Sequence, residues 1–119
     1  MRTNLRDDLK AALKSRDRAA IMALRSALAA IDNAEAVPVG QAPGLAAGNE
    51  HVAGAAVGLG ASEAPRRDLT AADLRSIVEN EVRERDNAAE EYERLGRTEQ
   101  AERLRAEAAV LRRHLDPAG

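Results

Sequence analysis

An all-α fold is what this sequence predicts: a short N-terminal helical hairpin followed by a long antiparallel one, in a four-helix arrangement. Three observations carry the expectation. Apolar residues recur at spacings of three and four in four separate stretches, and no stretch alternates apolar with polar as a half-buried strand would. The helix signals at the ends of these stretches are in place. The chain also holds a single aromatic residue, Tyr92, so its core must be built from aliphatic side chains and alanine.

The first helix is expected over residues 4–15, with Asn4 as its N-cap and Asp7 and Asp8 in its first turn. Leu5, Leu9, Ala12 and Leu13 form its apolar stripe. Arg16 and Asp17 interrupt the pattern, and Asp17 is placed to cap a second helix ending near Glu35. Its stripe is Ile21, Leu24, Leu28 and Ile31, with Ala20 and Ala27 beside it. So short a link favours a helical hairpin.

Residues 36–68 differ in kind. Nine alanines, six glycines and three prolines make up 18 of these 33 residues, with no helical or strand period. Such a stretch buries too little apolar surface to offset roughly 1–2 kcal/mol of backbone ordering per residue. It reads as a low-complexity insertion in a single domain spanning residues 1–119.

The third helix opens on Thr70, with Asp73 completing a capping box and Leu69 and Leu74 at the staple positions. Leu74, Ile77, Val78, Val82, Ala89, Tyr92 and Leu95 mark its apolar face, and Gly96 stands where a left-handed C-terminal residue is needed. The fourth helix is expected from Arg97 or Thr98 to Leu115, packing through Ala101, Leu104, Ala108, Leu111 and Leu115. Arg112, Arg113 and His114 crowd its last turn, and Pro117 prevents continuation. Glu79–Arg83, Glu81–Arg85, Glu90–Arg94 and Glu99–Arg103 are spaced as i,i+4 pairs along the outer faces.

Composition narrows the function. The chain has 119 residues, with 18 Lys and Arg against 20 Asp and Glu for a net charge of −2, so a general nucleic-acid coat is disfavoured. With no cysteine there is no disulfide, thiolate metal site or cysteine nucleophile. One tyrosine builds no base-stacking platform. The charged N-terminus lacks an apolar signal region and no run is long enough to span a bilayer, so the expected location is the cytoplasm, away from membranes.

A search for catalytic chemistry returns little. His51 falls in the insertion, and His114 reads as a surface imidazole favoured by a helix C-terminus. Neither has a ligand partner at the helical spacing of a zinc site. Ser26 and Ser76 have no histidine or lysine placed to activate them, and Gly54, Gly58 and Gly60 lack the lysine of a phosphate loop. No catalytic residue, cofactor or metal is therefore expected. Arginine is the feature left over: 16 arginines against two lysines. Guanidinium forks match phosphates, yet residues 69–119 hold nine arginines against twelve acids.

Several segments then resemble a known family. Leu24-Arg25-Ser26-Ala27-Leu28-Ala29-Ala30-Ile31-Asp32-Asn33-Ala34-Glu35 closes the second helix, and Leu69-Thr70 opens the third. Glu81-Val82-Arg83-Glu84-Arg85 and Glu91-Tyr92-Glu93-Arg94-Leu95-Gly96-Arg97 follow, then Ala101-Glu102, Ala106-Glu107 and His114-Leu115-Asp116-Pro117. In this order they resemble the GatB/YqeY family, which shares a helical region with the C-terminal part of the B subunit of the glutamine-dependent aspartyl/glutamyl-tRNA amidotransferase. The resemblance implies an all-α bundle and a link to tRNA. It marks Arg25, Arg85 and Arg97 as candidate RNA or partner contacts, and Asn33, Glu35, Tyr92, Gly96 and Glu107 as further motif positions. It also implies the family-level label of a carbon–nitrogen ligase with glutamine as amido donor, although the B subunit's catalytic machinery lies in a region this sequence does not contain. The insertion at 36–68, the ending His114-Leu115-Asp116-Pro117 and the absence of the tail domain of longer relatives depart from the family pattern.

The expected function is thus a non-catalytic helical accessory module contacting tRNA or other RNA, with a protein–protein adaptor without RNA binding as the alternative. Arg25, Arg85 and Arg97 converging on one exposed face favours the first; their being ion-paired favours the second. The insertion reading has a direct test. Deleting residues 39–63 should leave the thermal midpoint within about 8 °C of the full chain, and a larger fall contradicts it.

Overall fold

The computed structural model describes residues 1–36 and 67–116, and among these it is all-α. Four helices follow in order: α1 (Arg2–Ser15), α2 (Arg18–Ala36), α3 (Ala71–Arg94) and α4 (Thr98–Arg112). The expectations for the insertion, for His51 and for Pro117 lie outside the described residues. The chain divides into two compact units, Met1–Ile31 with Thr70–Gly119, and Asp32–Leu69. In the second, the Arg67 N–H donates to the Glu35 carbonyl at 2.9 Å.

α1 starts earlier than its sequence signals suggest. The Met1 carbonyl accepts from the Leu5 N–H at 2.9 Å, so Asn4 lies inside the first turn and is not the cap. Asp7 and Asp8 consequently fall beyond that turn. The helix ends at Ser15 as expected, with Arg16 left-handed at φ 60°. The Asp17 N–H reaches back to the Ala12 carbonyl at 3.0 Å, closing the helix end. A left-handed arginine is costly, by roughly 1–2 kcal/mol against a right-handed one, so the chain spends stability to turn here. Asp17 then caps α2, its Oδ1 accepting from the Ala20 N–H at 3.1 Å.

The start of α3 follows the sequence closely. The Asp73 N–H donates to Thr70 Oγ1 and the Thr70 N–H to Asp73 Oδ2, each at 3.0 Å, which completes the capping box. At the other end Gly96 is left-handed at φ 78°. The Arg97 N–H donates to the Tyr92 carbonyl at 2.8 Å and the Gly96 N–H to that of Glu93 at 3.0 Å. These two bonds turn the chain into α4, which packs along α3. α4 is shorter than expected. Beyond Arg112 the chain tightens into a turn, with His114 bonding back to Leu111 at 3.0 Å and Leu115 to Arg112 at 2.9 Å.

The core is small and rich in alanine. Leu5, Leu24, Ile31, Val78 and Leu111 are its largest fully buried side chains, with Ala12, Ala20, Ala23, Ala27, Ala89, Ala101 and Ala108 among them. α2 buries its alanine face more fully than its expected stripe: Ile21 and Leu28 are only half-buried. Leu13 and Leu95, both expected inside, are 45% and 64% exposed. Leu13 sits some 80° around α1 from Leu5 at 100° per residue, and Leu95 is the residue that ends α3. Replacing Thr70 with alanine should cost about 0.5–2 kcal/mol in a urea titration, because loss of the cap leaves the Asp73 amide unsatisfied. An unchanged midpoint contradicts this account of the helix start.

Candidate functional site

Two charged residues of α3, Glu81 and Arg85, lie in phase with Val78, Val82 and Ala89, and one of α4, Glu107, adjoins Ala108 and Leu111 on the inner side. Helical geometry therefore turns them inward, and burial forces them to find one another. Arg85 Nη1 donates to Glu81 Oε1 at 3.0 Å and to the Glu81 carbonyl at 3.2 Å. Arg85 Nε donates to Glu107 Oε1 at 3.0 Å. From α2, the Ser26 hydroxyl donates to Glu81 Oε1 at 2.6 Å. Side-chain exposures of 12% for Arg85, 11% for Glu81 and 8% for Glu107 put the cluster out of reach of a macromolecular partner.

This arrangement links α3 to α4 through the Arg85 guanidinium and α2 to α3 through the Glu81 carboxylate. The Glu81 oxygen that accepts from Ser26 also accepts from Arg85. Among the described residues no group of three or more His, Asp or Glu side chains is arranged to hold a metal.

The candidate residues separate into different environments. Arg85 and Glu107 meet in the cluster, 22 positions apart in sequence. Arg85 is therefore not on an exposed face. Arg25 on α2 and Arg97 at the α3–α4 turn are exposed, and neither side chain has a hydrogen-bond or ion-pair partner among the described residues. Ser26, beside Arg25, reaches Glu81, and some 14 helical residues separate Glu81 from Leu95, about 21 Å along α3. The three arginines do not converge. Gly96 performs its expected turn, Tyr92 is half-buried and supplies the carbonyl that turn uses, and Asn33 is exposed. Glu35 contributes its carbonyl to Arg67.

The expected surface pairs are largely rearranged. Only Glu81–Arg85 forms as an i,i+4 pair of the four, and it is internal. Glu79 instead pairs with Arg75 at 3.3 Å and Arg94 with Glu91 at 2.8 Å, while Arg83 donates weakly to Asn80 at 3.5 Å. Across the hairpin Arg105 grips Glu93 through two bonds of 2.7 and 3.0 Å, and Arg112 bonds Asp86. Hydrogen bonding to Arg105, and secondarily its charge, holds the Glu93 carboxyl below the usual carboxylate range. That pairing is intact at neutral pH and is lost as pH falls through the lowered value. His114 also departs from expectation: its side chain is 9% exposed, and its Nε2 lies 2.7 Å from Asp8 Oδ2. It clasps α1 to the turn after α4 and is not a free surface imidazole.

The signal for Glu81 and Glu107 was available in the helical phase of the sequence. Ser26 gave none, because its partner lies 55 residues away.

The described residues thus form an all-α fold whose long hairpin is bolted by an internal arginine. The family model of the YqeY-like proteins matches residues 55–118, more than half of the chain, and the chain belongs to that family. The match takes in α3, α4 and the Arg85–Glu107 pair, whereas the Leu24–Glu35 segment precedes it. No curated protein and no solved structure matches the chain.

Replacing Arg85 with methionine should destabilise the fold by about 3–5 kcal/mol, since two buried carboxylates lose their only cation. Chemical denaturation checks this. A cost under about 1 kcal/mol, typical of an exposed pair, contradicts the buried-cluster account.

Proposed function

We propose that this chain is a non-catalytic helical accessory module that works as a protein–protein adaptor. One observation carries the reading: most of the long hairpin's arginines are committed to acids of the same hairpin. Of the eight arginines from Ala71 to Arg112, Arg75 is bound by Glu79, Arg85 by Glu81 and Glu107, Arg94 by Glu91, Arg105 by Glu93 and Arg112 by Asp86. A surface that tracks a phosphate backbone needs guanidinium forks left free for phosphate. A helical scaffold whose side chains are mutually satisfied suits the presentation of a fixed face to another protein.

A tRNA-contacting role is the second reading. Arg25 and Arg97 favour it, being exposed and without partners among the described residues. The amidotransferase label stays at the level of family relationship in this proposal, because the one serine side chain bonded to a carboxylate of another helix among the described residues, Ser26, lies in a cluster whose charge is offset in part by Arg85. A cytoplasmic location belongs to the same proposal. Among the described residues no helix is long and apolar enough to cross a membrane.

Gel filtration of the tagged chain from its own cells distinguishes the readings. The adaptor reading expects migration well above the mass of the free chain, unchanged by ribonuclease. Collapse to a smaller species on ribonuclease treatment supports RNA contact instead, and migration as a free monomer contradicts both.

A further inference from the structure

A group of cations outside the long hairpin lies at the opposite end of the sequence. Lys10, Lys14, Arg16 and Arg18 surround the α1–α2 link, and all four are exposed. None of their side chains has a hydrogen-bond or ion-pair partner among the described residues. Asp17 is the single acid among residues 10–18, and its carboxylate already caps α2. Four cations against one committed acid give residues 10–18 a net charge of +3 in a chain whose net charge is −2, with exposed Asp7 a further acid on the groove that Lys10 and Leu13 also line.

Two large apolar side chains stand among these charges. Leu13, in the last turn of α1, is 45% exposed, and Met22, in the second turn of α2, is 55% exposed. The two-residue link keeps them close along the chain, one on each side of the turn. The turn itself holds Arg16 left-handed where glycine would sit without strain, which keeps a cation at the apex.

We propose that the α1–α2 elbow docks an acidic amphipathic segment of a partner protein. Leu13 and Met22 take the segment's apolar face, and Lys10, Lys14, Arg16 and Arg18 meet its carboxylates around the rim. Charge complementarity selects an acidic occupant. The apolar pair selects protein over nucleic acid, because a phosphate backbone gains nothing from leucine or methionine, and the elbow carries no aromatic ring on which a base could stack. The inference deepens the adaptor reading and rests on it.

Photo-crosslinking in the native cells tests it on the full chain. Met22 is replaced by p-benzoylphenylalanine, and Asn87, exposed on α3, is replaced likewise in a second chain. The expected result is a ribonuclease-resistant adduct at Met22 whose crosslinked partner segment carries net negative charge. Combining Lys14→Glu with Arg18→Glu should reduce that adduct at least tenfold while the helical circular dichroism stays unchanged. An adduct to RNA, an adduct to a neutral or basic segment, no adduct at Met22, or an adduct indifferent to charge reversal overturns the docking site. Protein adducts at Asn87 with none at Met22 overturn the elbow and leave the adaptor reading standing. Absence of protein adducts at both positions overturns the two together.

Discussion

Arg85 holds two buried carboxylates with one guanidinium, and the packing of α2, α3 and α4 has to accommodate that arrangement. Taking these three charges out of water costs several kcal/mol per ion before any attraction between them is counted. The cost is recovered only when the fork, both carboxylates and the Ser26 hydroxyl are in register, since each bond is between 2.6 and 3.2 Å. Alanine makes the approach feasible. With Ala23 and Ala27 on α2, Ala89 on α3 and Ala101 and Ala108 on α4 all buried, the backbones can come close enough for short side chains such as Ser26 to reach across. A core with bulkier residues at these positions would hold the helices too far apart for the Ser26–Glu81 bond.

The sequence made the helices legible because periodicity and end signals are local. The Thr70–Asp73 box and the Gly96 turn depend on residues within four positions of one another, and both form as their chemistry dictates. α1 was misjudged at its start because a backbone carbonyl, that of Met1, does the work that Asn4's side chain suggested. The charge pattern was harder to interpret. Counting Glu and Arg at i,i+4 treats every such pair as solvent-facing, whereas Glu81 and Arg85 share the phase of the buried valines. Across the hairpin the choice of partner is a tertiary matter. Arg105 selects Glu93 twelve residues away, and His114 selects Asp8 at a separation of 106. No spacing rule reaches that far.

The candidate site was half legible for the same reason. Arg85 and Glu107 were singled out by resemblance, but their meeting, and its burial, follow only from the fold. Once Arg85 is internal, the arginine content of the long hairpin loses much of its meaning as an RNA signal. The chain's charge is then divided by role. Acids and arginines of α3 and α4 largely satisfy one another, while the cations near the α1–α2 turn face outward without partners among the described residues.

The central claim is that Arg85 and Glu107 act as a unit that fixes α4 against α3. A double-mutant cycle built from Arg85→Met, Glu107→Leu and the combined variant, followed by chemical denaturation, measures it most directly. The account predicts a coupling above about 1 kcal/mol, with the double variant more stable than the two single costs summed would allow, because the second change removes the charge that the first left stranded. Single costs that add within about 0.5 kcal/mol would contradict it.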